Sequence, residues 1–241
     1  MRMAMFNKAV SAYTAYATKF NSGTDIYRSF PGLVGVSDST KTGVMSGFFK
    51  IPVGSAGTFN KFLQDNAADN AGIFWPTGNG FRLQWTDSGA AVCIKLYSTG
   101  VSFADGNWHH VILAWDTSDA TKCKVYVDDV DATDTVTLLA SIVNTNIQYT
   151  DNAYYFGYGN TGFSVCEFYL ACSSWLDITN TATRRKFVTA ALKPAGDLLT
   201  TSGVPTPTIY FNQPYTSFLT NPGTGGNFSL DAGTLVGDTP P

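Results

Sequence analysis

The chain has 241 residues, and its 15 Lys and Arg against 18 Asp and Glu give a formal charge of −3, which leaves no basic surface for gripping phosphates and sets nucleic acid aside as a partner. Charged residues are 14% of the whole, against about 25% in an ordinary domain, and 23 Gly, 17 Phe and 30 Thr take their place. A single glutamate, Glu167, stands beside 17 aspartates; a chain so poor in this helix former is not built from long helices, and no apolar run approaches the roughly 20 residues of a membrane span.

The first twenty residues fit no one period. Phe6, Val10, Tyr13 and Phe20 partly follow a 3.6-residue repeat, while Ala9, Ser11 and Tyr13 alternate as in a strand. Arg2 and Lys8 flank no sustained apolar stretch and no cleavage site follows, so the expectation is synthesis in the cytoplasm without a secretory leader. From residue 44 onward, aromatic and β-branched runs alternate with Gly, Asn, Asp and Ser clusters, the pattern of a meandering β fold. Residues 46–51 give the first strand. Residues 73–75 and 81–85 flank Pro76-Thr77-Gly78-Asn79-Gly80 and predict a hairpin. Phe81, Leu83 and Trp85 share its buried face, with Arg82 and Gln84 on a wet one.

Asp87-Ser88-Gly89 turns the chain into 92–97, and Asp105-Gly106-Asn107 launches 108–115, apolar on both faces and therefore central, with Trp108 expected as a core ring. Residues 122–127 follow, with Cys123, Val125 and Val127 on one side, and Asp128-Asp129 close the next hairpin. Later runs at 154–158, 164–170, 208–211 and 228–230 bring the total to about ten strands. A helix is predicted within 179–191, capped by Asp177 or Thr179, packing Phe187 and Val188 inward and ended by Pro194 and Gly196. Cys93, Cys123, Cys166 and Cys172 have no Cys-x-x-Cys spacing, and three lie in alternating strand patterns, so reduced core thiols are expected over disulfides. No internal repeat is present.

The stretch 105–111 (Asp-Gly-Asn-Trp-His-His-Val) followed by 124–129 (Lys-Val-Tyr-Val-Asp-Asp) resembles the laminin-G-like domains of the concanavalin-A-like lectin and glucanase superfamily. With 32–39, 167–170, 175–179, 184–187, 207–211 and 221–228, it is similar to the version found in bacteriophage and prophage structural proteins. The resemblance implies an all-β, antiparallel jelly-roll sandwich over 31–236, with residues 1–30 packing on or extending it and 237–241 as a tail. It further implies a non-enzymatic virion protein, a head decoration or tail accessory subunit. Its partners would be other virion proteins, further copies of itself and host surface glycans. A free carbohydrate-binding adhesion module of the same fold is the alternative, and a polysaccharide hydrolase the third. Relatives commonly carry Asp-Gly after the Tyr-Val strand; Asp129 in place of that glycine requires Asp in a left-handed conformation or a different turn.

Hydrolases of this fold need paired carboxylates, and Glu167 has no acidic neighbour in sequence. His109 and His110 are the only histidines and face opposite ways on a strand; with no Gly-x-Ser-x-Gly beside them, packed or hydrogen-bonded imidazoles are expected rather than a base. No cofactor is required, calcium excepted. Asp116, Asp119, Asp128 and Asp129, with Asp131 and Asp134, crowd two connections as calcium candidates, but their spacing matches no continuous calcium loop and suits turns equally. For glycans, Trp75, Tyr97, Tyr154, Tyr155 and Tyr158 are the aromatic candidates, although rings filling the core would look the same in sequence. Arg184-Arg185-Lys186 fits a solvated face or a subunit contact.

Overall fold

The computed structural model describes residues 13–29, 32–53, 55, 60–65, 72–75, 80–98, 103–134, 142–150, 153–159 and 162–241. The first strands are β1 (Ala17–Phe20), β2 (Asp25–Arg28), β3 (Thr42–Lys50), β4 (Asn60–Asp65), β5 (Gly72–Trp75), β6 (Arg82–Thr86) and β7 (Val92–Tyr97). They are followed by β8 (Trp108–Asp116), β9 (Lys124–Val127), β10 (Val130–Asp131), β11 (Tyr154–Phe156), β12 (Phe163–Cys172), β13 (Ile209–Phe211), β14 (Ser229–Ala232) and β15 (Leu235–Asp238). One sheet runs β10-β9-β8-β3-β12-β1-β15, with β13 also on β12; the other runs β14-β2-β11-β4-β5-β6-β7. Every strand pair is antiparallel. The predicted sandwich is the observed fold.

Alternation along the strands, interrupted by register shifts in β4 and β12, builds the core between the sheets. Met45, Phe49, Val111, Leu113, Trp115, Val165, Phe168 and Leu170 of the first sheet meet Ile26, Leu63, Ile73, Leu83, Trp85, Ile94 and Phe156 of the second. Trp85 and Trp115 face each other across the layer at 6.1 Å, and Tyr149 stands edge-on to Trp85 at 5.0 Å. Gly43 makes room for the Trp115 ring: a Cβ there would sit 2.1 Å from its nearest carbon. The four cysteines are free thiols, all buried.

The structure redraws several predicted features. β1 and β2 are integral strands, one in each sheet, so the sandwich begins by Ala17; the remainder of the ambiguous start, 1–12, lies outside the described residues. The hairpin loop 76–79 also lies outside them, but its strands pair as predicted, Ile73 against Leu83. Trp108 is no core ring: it is partly exposed, its indole N–H donates to the Thr239 carbonyl at 3.0 Å, and the Lys50 ammonium lies 5.1 Å from its ring centre. The predicted helix shrinks to α1 (Thr181–Arg184), capped not by Asp177 or Thr179 but by Asn180, whose Oδ1 accepts from the Ala182 N–H at 2.9 Å. Phe187 and Val188 still pack inward from the turns that follow. Asp128 and Asp129 both adopt left-handed φ, +48° and +68°, so the hairpin keeps a glycine-type turn without glycine. Among the described residues no helix is long and apolar enough to cross a membrane.

Candidate functional site

The two sheets do not offer equal outer faces. Over the first, Val44, Ile112, Ala114, Tyr126, Tyr169 and Tyr210 point away from the core but are buried by Ile178, Phe187 and Leu198, carried on the segment that contains α1. That segment is locked down by Arg184: its Nε donates to Asp129 at 2.5 Å, its Nη1 to the Ile178 and Thr179 carbonyls, and its guanidinium lies 4.2 Å from the Tyr126 ring centre. Arg185 adds a second bond to Asp129, and the two guanidiniums hold the Asp129 carboxyl down at about 2. Most of this face is closed.

On the second sheet, the register sets Ser229, Tyr27, Tyr155, Gln64, Gly72, Gln84 and Lys95 in one row across six strand pairings. The alternation that sends Ile26, Leu63, Leu83, Ile94 and Phe156 into the core turns this row outward. At one end the tyrosines form a platform. The Tyr27 and Tyr155 ring centres are 5.5 Å apart, Tyr155 and Tyr158 are 5.1 Å apart, and the Lys61 ammonium lies 5.4 Å from the Tyr158 ring centre. Tyr158 is 44% exposed. Gln64 is buried next to Tyr155, its Oε1 without a hydrogen-bond partner. At the platform's edge burial, and then the neighbouring Asp231 charge, raises the Asp25 carboxyl. Burial, then Asp231, likewise raises the Tyr155 phenol. Farther along, Gln84 is 6% exposed, so the side expected to be wet is open only toward its ends.

The aromatic candidates therefore divide. Tyr155 and Tyr158 lie on the platform together with Tyr27, which the sequence reading missed because β2 has too few residues to show alternation. Tyr154 points inward and is core. Tyr97 lies on the same sheet but at its far strand, opposite Arg82. Trp75 ends β5, and its side chain lies outside the described residues.

Of the calcium candidates, the carboxylates of Asp116, Asp119, Asp128, Asp129 and Asp131 are engaged by the chain itself. Asp116 accepts from Ser118 N–H and Oγ and from Lys122 Nζ at 3.0 Å. Asp119 caps a 3-10 turn through Thr121 N–H and Oγ1. Asp128 accepts from the His110 N–H and contacts His109 Nδ1, and Asp129 holds Arg184 and Arg185. Asp131 receives Thr133 N–H and Oγ1, and the Asp134 N–H donates to the Tyr97 carbonyl. Among the described residues no three His, Cys, Asp or Glu side chains gather as a metal site.

His109 is bracketed by Asp128 at 2.6 Å and Asp105 at 3.1 Å, and hydrogen bonding to Asp128 leads the interactions that raise its pKa. His110 is buried against Ser46 Oγ at 2.9 Å, and burial pushes it down to about 3. Both are structural imidazoles. Glu167 sits at a register shift in β12 with φ +53°, buried, one oxygen accepting from Tyr210 Oη at 2.6 Å and the other without a partner. Burial pushes its carboxyl up to about 7.

Solved structures share this fold at low identity. The chain superposes on a candidate carbohydrate binding protein of Bacteroides ovatus ATCC 8483 with a TM-score of 0.59 at 12% identity, over 94% of this chain and 61% of that one. The binding domain of botulinum neurotoxin serotype G gives 0.51 at 12%, over 75% and 49%. Domains LG4-5 of the mouse laminin α1 chain give 0.43 at 14%, over 66% and 42%. The chain thus spans between about two fifths and three fifths of the length of these chains. No family model matches the sequence, and no curated protein matches it.

Proposed function

We propose that the chain is a carbohydrate-binding adhesion module that holds glycans on the Tyr27–Tyr155–Tyr158 platform and does not cleave them. The observation that carries this reading is the platform itself: three adjacent rings, Tyr27, Tyr155 and Tyr158, at the open end of an outward row. Sugar rings present C–H faces that stack on aromatic rings and hydroxyls that seek carboxylates; the exposed Asp231, whose charge acts on Tyr155, supplies one beside the rings. The shared fold of a candidate carbohydrate binding protein agrees with it. Calcium has no part in this reading, because the aspartates once considered for it are satisfied by turn N–H groups and cations.

The resemblance to phage structural domains suggests a narrower setting, a subunit of a virion head or tail touching host glycans and packed against other virion proteins or its own copies. No described contact favours that setting over a free adhesion module. A glycan array probed with the chain, with and without chelator, tests the reading: reproducible hits that survive chelation and are lost in Tyr155→Ala support it. Silence across the array, or hits unchanged in Tyr155→Ala, overturns it.

A further inference from the structure

At one end of the first sheet, Trp108, Lys50, Ser164, Lys19 and Val236 are successive register partners on β8, β3, β12, β1 and β15. The end of β15 folds against this row. Asp238 Oδ2 lies 2.5 Å from Lys50 Nζ and accepts from Ser164 Oγ at 2.6 Å, and Thr239 holds the Trp108 indole. Burial opposes ionisation of Asp238, but the bonds from Lys50, Ser164 and the Thr239 N–H outweigh it and lower its pKa. Beside this knot lies a cleft of about 240 Å³ lined by Lys19, Lys50, Pro52, Gly106, Phe163 and Asp238. Lys50 is committed to Asp238, whereas Lys19 is exposed and makes no ion pair among the described residues.

We infer that this cleft is a second ligand site, separate from the tyrosine platform, and that it takes a single sugar ring bearing one carboxylate, the chemistry of a uronic acid. Its volume is below the about 300–1,000 Å³ of sites for drug-sized ligands, which suits one ring and not a chain. Two lysines against one aspartate leave a single excess positive charge, matched by a single carboxylate on Lys19. Asp238 accepts hydroxyl donors and repels a second negative charge, so a doubly charged sulfate or phosphate is disfavoured; the guanidinium forks that suit such groups are not among the lining residues.

The test is a titration of the whole chain followed by amide NMR, with glucuronic acid, glucose and sodium sulfate at matched ionic strength. Saturable shifts at Lys19, Gly106 and Ser164 with glucuronic acid alone, weakened at least about threefold in Lys19→Met and unchanged in Tyr155→Ala, support the site. Because Lys19 is exposed, Lys19→Met leaves the fold intact, and thermal melting verifies that. Equal shifts with glucose or with sulfate, full binding in Lys19→Met, or no shift with any probe overturns it. Loss in Tyr155→Ala also overturns it, since the ligand would then sit on the platform. Platform binding of neutral glycans stands or falls separately on the array.

Discussion

Glu167 shows how one residue can store the cost of a buried charge. Its carboxyl lies beneath the outer face of the first sheet with the Tyr210 phenol for a partner, and burial lifts its pKa to about 7 against an ordinary 4.5. An acid whose folded pKa is raised favours the folded state fully only below its unfolded pKa, and that advantage is lost as pH climbs from about 4.5 to about 7. The difference corresponds to about 3 kcal/mol. Glu167→Gln therefore flattens the fall in stability between pH 5 and 8 and leaves the variant more stable than the parent at pH 8; urea melts at both pH values measure this, and an unchanged slope would contradict it. His109 adds in the same sense. Its pKa is raised by Asp128 and Asp105, so its contribution is present below about 6.5 and lost as pH rises through the higher folded value. In the core, Trp115→Ala costs about 3–5 kcal/mol, whereas Trp108→Ala, at a partly exposed ring, costs clearly less. Thermal melts of the two variants rank them, and equal losses would contradict the placement of Trp108.

At the scale of elements, the β9–β10 turn carries two left-handed aspartates where glycine would be easier, each with its own compensation. Asp128 is held by the His110 N–H and His109, and Asp129 by Arg184 and Arg185. Asp129→Gly removes about 1 kcal/mol of backbone strain, but it strips the nearly buried Arg184 of its counter-charge, a loss of about 3–5 kcal/mol. The expected result is a net destabilisation of about 2–4 kcal/mol, read by chemical denaturation; a stabilised variant would show that the turn and not the clamp governs this corner. Long strands such as β8 and β12 were legible in the sequence because apolar and aromatic residues run through nine or ten positions between turn signals. β4 was not, because a register shift between Lys61 and Leu63 puts both Phe62 and Leu63 in the core and breaks the alternation. β1, β2 and β15 have four residues each, too few to show a period. α1 was overdrawn because 3.6-residue spacing survived in turns that bury Phe187 and Val188 without continuing the helix.

For the whole molecule, the sandwich was readable from turn chemistry and aromatic strands, but its functional face was not. Tyr27, Tyr155 and Tyr158 come together through β2–β11 pairing, which joins residues more than a hundred positions apart, and only the register reveals that they share a surface with Gln64. Burial of the other sheet by the α1 segment is equally invisible in sequence, since Phe187 and Leu198 mark a core without saying which face they cover. The central claim is that glycans engage the outer face of the β14–β7 sheet at its tyrosine end. Hydrogen exchange with and without the strongest array hit tests it most directly. The account predicts slowed exchange at 25–28 and 154–158, with β8, β3 and the α1 segment unchanged; protection confined to 178–204 or to the loops at 87–91 and 144–146 would contradict it.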